Sequence, residues 1–236
     1  MQISPLYIAL DKENETKALA FLNEFKEETL DVKVGMELYF REGPRIVETI
    51  KQAGHRVFID LKIHDIPVTA EKAMRNLAKL EPDCVNVHAL GGKEMMKRAK
   101  EGLTAGTPAS KEPPLCLAVT HLTSSSQEML RNDLAIATDI QAHVLQLSAS
   151  VYEAGLDGVI CSALDVSAVK EHFPLYALCP GIRRKADEPD DQKRAVTPRE
   201  AREFGADAIV VGRGITKASS PQKAYQDYIR EWLKER

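Results

Sequence analysis

The chain is 236 residues long, 44% apolar and 28% charged, with 32 Lys and Arg against 35 Asp and Glu for a formal net charge of -3. That size and balance suit one globular domain with a sizeable core, and charges mixed in sign give no footprint for nucleic acid or an anionic bilayer. Met1 to Leu10 lacks the basic region and long apolar run of a signal peptide, and no stretch approaches a membrane span, so a cytoplasmic location is expected.

Along the chain, short apolar runs alternate with longer helical patterns. Leu6 to Leu10 reads as a first strand closing on Asp11, and Thr16 to Lys26 carries helical spacing in Leu19, Leu22 and Phe25. Val32 to Met36, containing Lys33 and Gly35, is a second strand, and a helix follows from about Pro44 to Ala53. The turn Ala53-Gly54-His55 introduces a third strand that runs from Val57 into Asp60-Leu61-Lys62-Ile63-His64-Asp65, and Pro67 suits the first turn of a helix reaching through Thr69 to Leu80. Cys84 to Ala89 is the fourth strand, followed by a helix near Lys93 to Glu101 and a Gly/Pro-rich connection from Gly102 to Pro114. Leu115 to Thr120 is the fifth, with His121, Thr123 and Ser124 just beyond it. A long helix from about Asp139 to Ala154 leads to the sixth, Gly158 to Cys161. Leu175 to Leu178 is the seventh, ended by Cys179-Pro180-Gly181, and Ala208 to Val211 is the eighth, ended by Gly212-Arg213-Gly214. A last helix runs from about Pro221 to Lys234.

Eight β-α units with no dividing linker predict a parallel sheet closed into a single α/β domain, a (β/α)8 TIM barrel over residues 1–236. Such barrels build their sites at the carboxyl ends of the strands. Asp11, Lys33, Asp60, Lys62, Thr123, Arg183 and Arg213 fall at or just past those ends, whereas the connections leading into strands read as ordinary turns. A period of two puts Asp60 and Lys62 on one face of the third strand. Taken alone, Asp-x-Lys-x-x-Asp could be a structural ion pair followed by a helix-capping Asp65. The clustering favours function instead: several charges in one barrel mouth are costly to desolvate unless mutually bonded, so Asp60, Lys62, Lys33 and a second carboxylate are expected to form one alternating network. A network of that kind positions a lysine without needing a metal.

The other end of the chain carries phosphate signals. Ala208 to Val211 opens into a glycine turn that lets backbone approach an anion, and Arg213 supplies a forked, permanently charged clamp. Barrels often bind phosphate in the loops after strands seven and eight. The segment from Pro180 to Val196 is charged and aperiodic, holding Arg183, Arg184, Asp190, Asp191, Gln192 and Arg194, and reads as a mobile gate with Gln192 as an amide donor. A plain turn and a solvated surface loop are the alternatives. Cys84, Cys116, Cys161 and Cys179 lie far apart in apolar runs, as small buried hydrophobes do, and form no zinc or disulfide pattern. His64, His88 and His121 read as structural polar groups near strand ends.

FIDLKIHDIPVT from Phe58 to Thr69, with Leu10-Asp11, VKVGMEL from Val32, VNVHA from Val85, AVTHLTS from Ala118, PGIR from Pro180 and IVVGRGIT from Ile209, closely resembles the bacterial orotidine 5′-phosphate decarboxylases from the first strand to the last helix. That resemblance implies a (β/α)8 homodimer, active without cofactor or metal, that converts orotidine monophosphate to uridine monophosphate and carbon dioxide at the last step of pyrimidine nucleotide synthesis. It further implies that Lys62 protonates carbon 6 of the pyrimidine and that Asp60 faces the departing carboxylate. Asp65 and Thr69 would serve the partner's site. Lys33 and Asp11 would contact the ribose, and Thr123 and Ser124 the pyrimidine. Pro180, Arg183, Gln192, Gly212 and Arg213 would hold the base edge and the phosphate. Neither nucleic acid nor membrane is an expected partner. The nearest rival is a metal-dependent sugar-phosphate decarboxylase or aldolase of the hexulose-phosphate synthase type, which resembles this chain in Asp-x-Lys-x-x-Asp but carries a metal-binding glutamate where this chain has Lys33. A non-catalytic nucleotide-binding barrel is a second rival, one with no need of Lys62 between two carboxylates.

Overall fold

The computed structural model describes residues 5–25, 28–185, 187 and 195–233. Eight parallel strands close in chain order: β1 (Leu6–Ala9), β2 (Asp31–Gly35), β3 (Arg56–Ile63), β4 (Cys84–His88), β5 (Leu115–Val119), β6 (Gly158–Ile160), β7 (Tyr176–Cys179) and β8 (Ala208–Val211), which pairs with β1. The helices around them are α1 (Glu15–Leu22), α2 (Met36–Glu42), α3 (Arg45–Gln52), α4 (Pro67–Ala78), α5 (Gly92–Gly106), α6 (Gln127–Asn132), α7 (Ile140–Glu153), α8 (Ala163–His172), α9 (Pro198–Glu203), α10 (Arg213–Thr216) and α11 (Pro221–Leu233). This is the expected TIM barrel.

Strands buried on both faces read as unbroken apolar runs, as LYIA in β1 and AIVV in β8 do. Alternate residues divide the core in two. Leu6, Ile8, Val32, Val34, Val57 and Ile59 turn outward and pack under the helices, while Tyr7, Ala9, Phe58, Leu117, Val119, Leu178 and Val210 fill the barrel interior. Tyr7 and Phe58 meet edge to face with ring centroids 5.9 Å apart. Register pairs Asp31 with Arg56 at the strand starts, Lys33 with Phe58 midway, and Gly35 with Asp60 at the mouth. An ion pair therefore sits below that aromatic tier, with Arg56 Nε 2.7 Å from Asp31 Oδ1, and a second charged group sits above it.

Three sequence expectations change. The connection expected from Gly102 is helical as far as Gly106, because these glycines are close-approach positions: a Cβ at Gly102 would lie 2.1 Å from the Glu71 carbonyl oxygen of α4. Short helices α2, α6, α8, α9 and α10 were not legible in the periodicity, each being too brief or too mixed to repeat a face. The connections into the strands are also far from ordinary. Asp83, Asp157 and Asp207, each placed just before an even-numbered strand, accept the backbone N-H of Val57, Cys116 and Ala177 on the preceding odd strand, at 2.8, 2.7 and 2.7 Å. The same carboxylate oxygens pair with Lys51, Lys100 and Lys170 from the helices entering those odd strands. One staple thus recurs at three of the four even strands, and the fourth, β2, uses Asp31 with Arg56.

Candidate active site

The carboxyl ends of β1, β2 and β3 hold an alternating row of charges. Asp11 Oδ1 lies 3.4 Å from Lys33 Nζ, Lys33 Nζ lies 3.1 Å from Asp60 Oδ2, and Asp60 Oδ1 lies 2.7 Å from Lys62 Nζ. This is the expected network, with Asp11 as its second carboxylate. Burial opposes the charge on Asp60, but Lys33, Lys62 and hydrogen bonds from Lys62 and Asn86 outweigh it and hold the carboxyl below the usual range. Burial likewise works against the Lys33 ammonium, and Asp60 and Asp11 overcome it to leave the group above its ordinary value. Both ions persist at neutral pH.

Lys62 does not reach this position by continuing a regular strand. The β3–β4 register shifts between Ile59 and Ile63, and Lys62 has φ 51°, in the left-handed region that costs a non-glycine residue about 1–3 kcal/mol. The strict period of two read from the sequence is thus replaced by a bulge. Asn86, buried inside the barrel on β4, bridges it: its Oδ1 accepts the Lys62 backbone N-H at 2.8 Å and its Nδ2 donates to Asp60 Oδ1 at 2.7 Å. Sequence reasoning missed Asn86, although an amide at the centre of Cys-Val-Asn-Val-His, with strand parity toward the interior, was the available signal.

Lys33, Asp60 and Lys62 line a cleft of about 270 Å³ together with Thr123, Ser124, Pro180 and His121, on an apolar base that includes Phe58, Ile160 and Val210. His121 contacts His143 at 2.8 Å between ring nitrogens. His88 stacks on His64, and burial, reinforced by His64 and Lys62, pushes it down to about 4, so it is neutral beside the ammonium. Gly212 closes the ring of loops beside Asp11: a Cβ on it would lie 3.8 Å from Asp11 Oδ2. Its carbonyl accepts from Ile215 and Thr216 at 2.9 Å each, turning the chain so that Arg213 is exposed at the start of α10. After β7, Ile182 bridges Val196, the Arg183 N-H donates to the Val196 carbonyl at 2.9 Å, and Arg183 Nη1 donates to the Ile182 carbonyl at 2.7 Å. The two legs of the 180–196 segment are thus joined at their base; Asp190, Asp191, Gln192 and Arg194 lie outside the described residues.

Asp65 and Thr69 stand apart. Both are exposed, Asp65 Oδ1 accepts the Ile66 N-H at 2.7 Å, and among the described residues Asp65 forms no ion pair. Met36, Phe40, Ile66, Val68, Leu90 and Leu122 are exposed large apolar side chains from the segments that follow β2 to β5, with Phe40 72% and Ile66 67% accessible. The four cysteines are buried and unpaired, as expected, and burial pushes the Cys116 thiol up to about 12. Among the described residues no three His, Cys, Asp or Glu side chains converge as a metal site, and no helix is long and apolar enough to cross a membrane.

Comparison with known proteins agrees with the barrel fold. The chain is 49% identical over 230 residues to the orotidine 5′-phosphate decarboxylase of Geobacillus sp. (strain WCH70), covering 97% of this chain and 96% of that one. It is 50% identical over 227 residues to that of Bacillus pumilus, covering 95% and 97%. The crystal structure of orotidine 5′-phosphate decarboxylase from Lactobacillus acidophilus superposes with a TM-score of 0.87 at 40% identity, covering 98% of this chain and all of that one. Residues 4–228 match the family model described as Orotidine 5'-phosphate decarboxylase / HUMPS family, and the chain belongs to that family.

Proposed function

We propose that the chain removes the carboxylate of orotidine 5′-monophosphate by charge placement alone, at the last step of uridine monophosphate synthesis, with Lys62 supplying the proton that takes its place. The activity is orotidine-5′-phosphate decarboxylation (EC 4.1.1.23), within pyrimidine biosynthesis. The observation that carries the finer reading is the row Asp11, Lys33, Asp60, Lys62, alternating in sign and ending on an ammonium in an apolar-based cleft.

Carbon dioxide leaves with the ring-carboxyl bond broken and its electron pair held on carbon 6. That carbanion has no ordinary electron sink, so the site must stabilise it more than the substrate carboxylate. The Lys62 ammonium does so by charge and then transfers a proton to carbon 6, becoming a neutral amine that solvent reprotonates. Asp60, kept ionised by its two lysines, faces the substrate carboxylate, and losing carbon dioxide relieves that repulsion. Asp11 and Lys33 hold the ribose, and Thr123 and Ser124 the pyrimidine. Pro180, Arg183, Gln192, Gly212 and Arg213 grip the base edge and phosphate, whose remote binding energy offsets the unfavourable ground state.

The same reading makes the reaction independent of metal and cofactor, since two ammoniums flanking Asp60 repel a divalent cation where the metal-dependent relatives offer a glutamate in place of Lys33. It also makes the active unit a homodimer, in which Asp65 and Thr69 enter the partner's cleft. Their absence from their own charge row, beside an apolar rim of Phe40, Ile66 and Val68, supports that arrangement. The deciding experiment follows loss of the orotidine monophosphate ultraviolet absorbance with and without EDTA. Equal rates are expected; activity lost to EDTA and restored by Mg²⁺ would reject the metal-free reading.

A further inference from the structure

We propose that Asn86 is a positioning residue for the decarboxylation: one carboxamide fixes both the left-handed backbone at Lys62 and the carboxylate of Asp60, and so sets where the ammonium points. This inference rests on the reading of Lys62 as the proton donor. Three observations support it. The two partners leave one orientation of the amide, because the Lys62 N-H, at 2.8 Å, needs an acceptor and Asp60 Oδ1, at 2.7 Å, needs a donor. Asn86 is 1% exposed, so neither bond can be exchanged for water at the surface. The conformation it braces, φ 51° at a lysine, is unfavourable by itself and persists only where surroundings over-determine it.

The geometry explains why a strand carries an amide there. A regular β3 would send Lys62 along the barrel wall at its pleat position. The bulge between Ile59 and Ile63 breaks the ladder and leaves the Lys62 N-H without a strand partner, and Asn86 supplies it from β4. The other end of the same side chain meets the oxygen of Asp60 that also receives Lys62 Nζ. Donor lysine and repelling carboxylate are therefore held to one rigid group.

Asn86→Ala removes both bonds. A displacement of about 1 Å at a reacting group can cost about a hundredfold in rate, and kcat is expected to fall by that order. Affinity for the product UMP, measured by isothermal calorimetry, should stay within about twofold, since phosphate and ribose contacts survive. The Asp60 carboxyl carbon, followed by NMR, should titrate at higher pH than in the wild type, having lost a donor to its charged form. Asn86→Asp is the isosteric control should the alanine variant not fold: it keeps an acceptor for the Lys62 N-H, sets a second carboxylate against Asp60, and is also expected to lose kcat and raise the Asp60 titration. Wild-type kcat in either folded variant overturns the proposal, as does a parallel loss of kcat and UMP affinity with Asp60 unmoved, the mark of a merely structural role. Failure of the Lys62 reading looks different, appearing as turnover in Lys62→Ala. The Asn86 inference fails alone when Lys62→Ala is inactive and Asn86→Ala is not.

Discussion

Lys62 and Asp60 sit 2.7 Å apart, yet the proposed mechanism gives them opposite tasks. Lys62→Ala is expected to lower kcat by at least about 10³-fold, the scale of an essential general acid, while leaving the thermal midpoint close to wild type; near-normal decarboxylation by the purified variant would remove Lys62 from the mechanism. The pH behaviour follows from signs. Asp60, depressed in the folded protein, contributes stability above the ordinary carboxylate value of about 3.9 and loses it as pH falls through its lower folded value. Lys33, raised, contributes below the ordinary lysine value of about 10.4 and loses it as pH rises through its higher folded value. In the free protein the Asp60 carboxyl carbon should therefore show no NMR titration step between about pH 4 and 9. A step inside that window would mean the lysines do not govern Asp60.

At the scale of elements, the staples at the amino ends of the strands make a separate prediction. Asp157 caps the Cys116 N-H and pairs with Lys100, so Asp157→Ala leaves a strand N-H and an ammonium short of their partner. The bonds are half-exposed, and the expected loss is about 1–3 kcal/mol in urea unfolding with kcat unchanged; an unmoved midpoint would deny the staple any role in stability. These staples also mark what sequence could and could not convey. Strand runs such as Ala208 to Val211 and charged strand ends such as Asp60 and Lys62 announce themselves, because an apolar period and an ion within it are local signals. Asp83, Asp157 and Asp207 resemble common turn residues, since their meaning depends on a backbone N-H dozens of positions earlier. Asn86 was hidden for a related reason: its partners are on β3, across a bulge that no periodicity encodes. The helical run through Gly102 and Gly106 was masked by residues whose value is close contact with α4 and not helix propensity.

For the whole molecule, the proposal that Asp65 and Lys62 serve different clefts leads to a complementation experiment. Lys62→Ala and Asp65→Ala homodimers should each be nearly inactive. Mixed in equal amounts and allowed to exchange subunits, they should recover about a quarter of wild-type activity, because half of the dimers are hybrids with one intact site of two in a two-fold assembly. No recovery on mixing, with subunit exchange shown by mass, would place both residues in one chain's site. The barrel's two ends meanwhile answer to different demands. The staple beneath β4, β6 and β8 repeats every second strand, giving the floor the periodicity of a (βα)₂ module, whereas the mouth repeats no such unit: the carboxylates of Asp11 and Asp60, the ammoniums of Lys33 and Lys62, the Asn86 amide and the Gly212 turn are spread over several strand ends with no shared spacing. A floor built from copies can be inherited whole while the rim is rewritten one side chain at a time. On the proposed reading, an exchange between glutamate and Lys33 would then change the chemistry and leave the foundation of the barrel untouched.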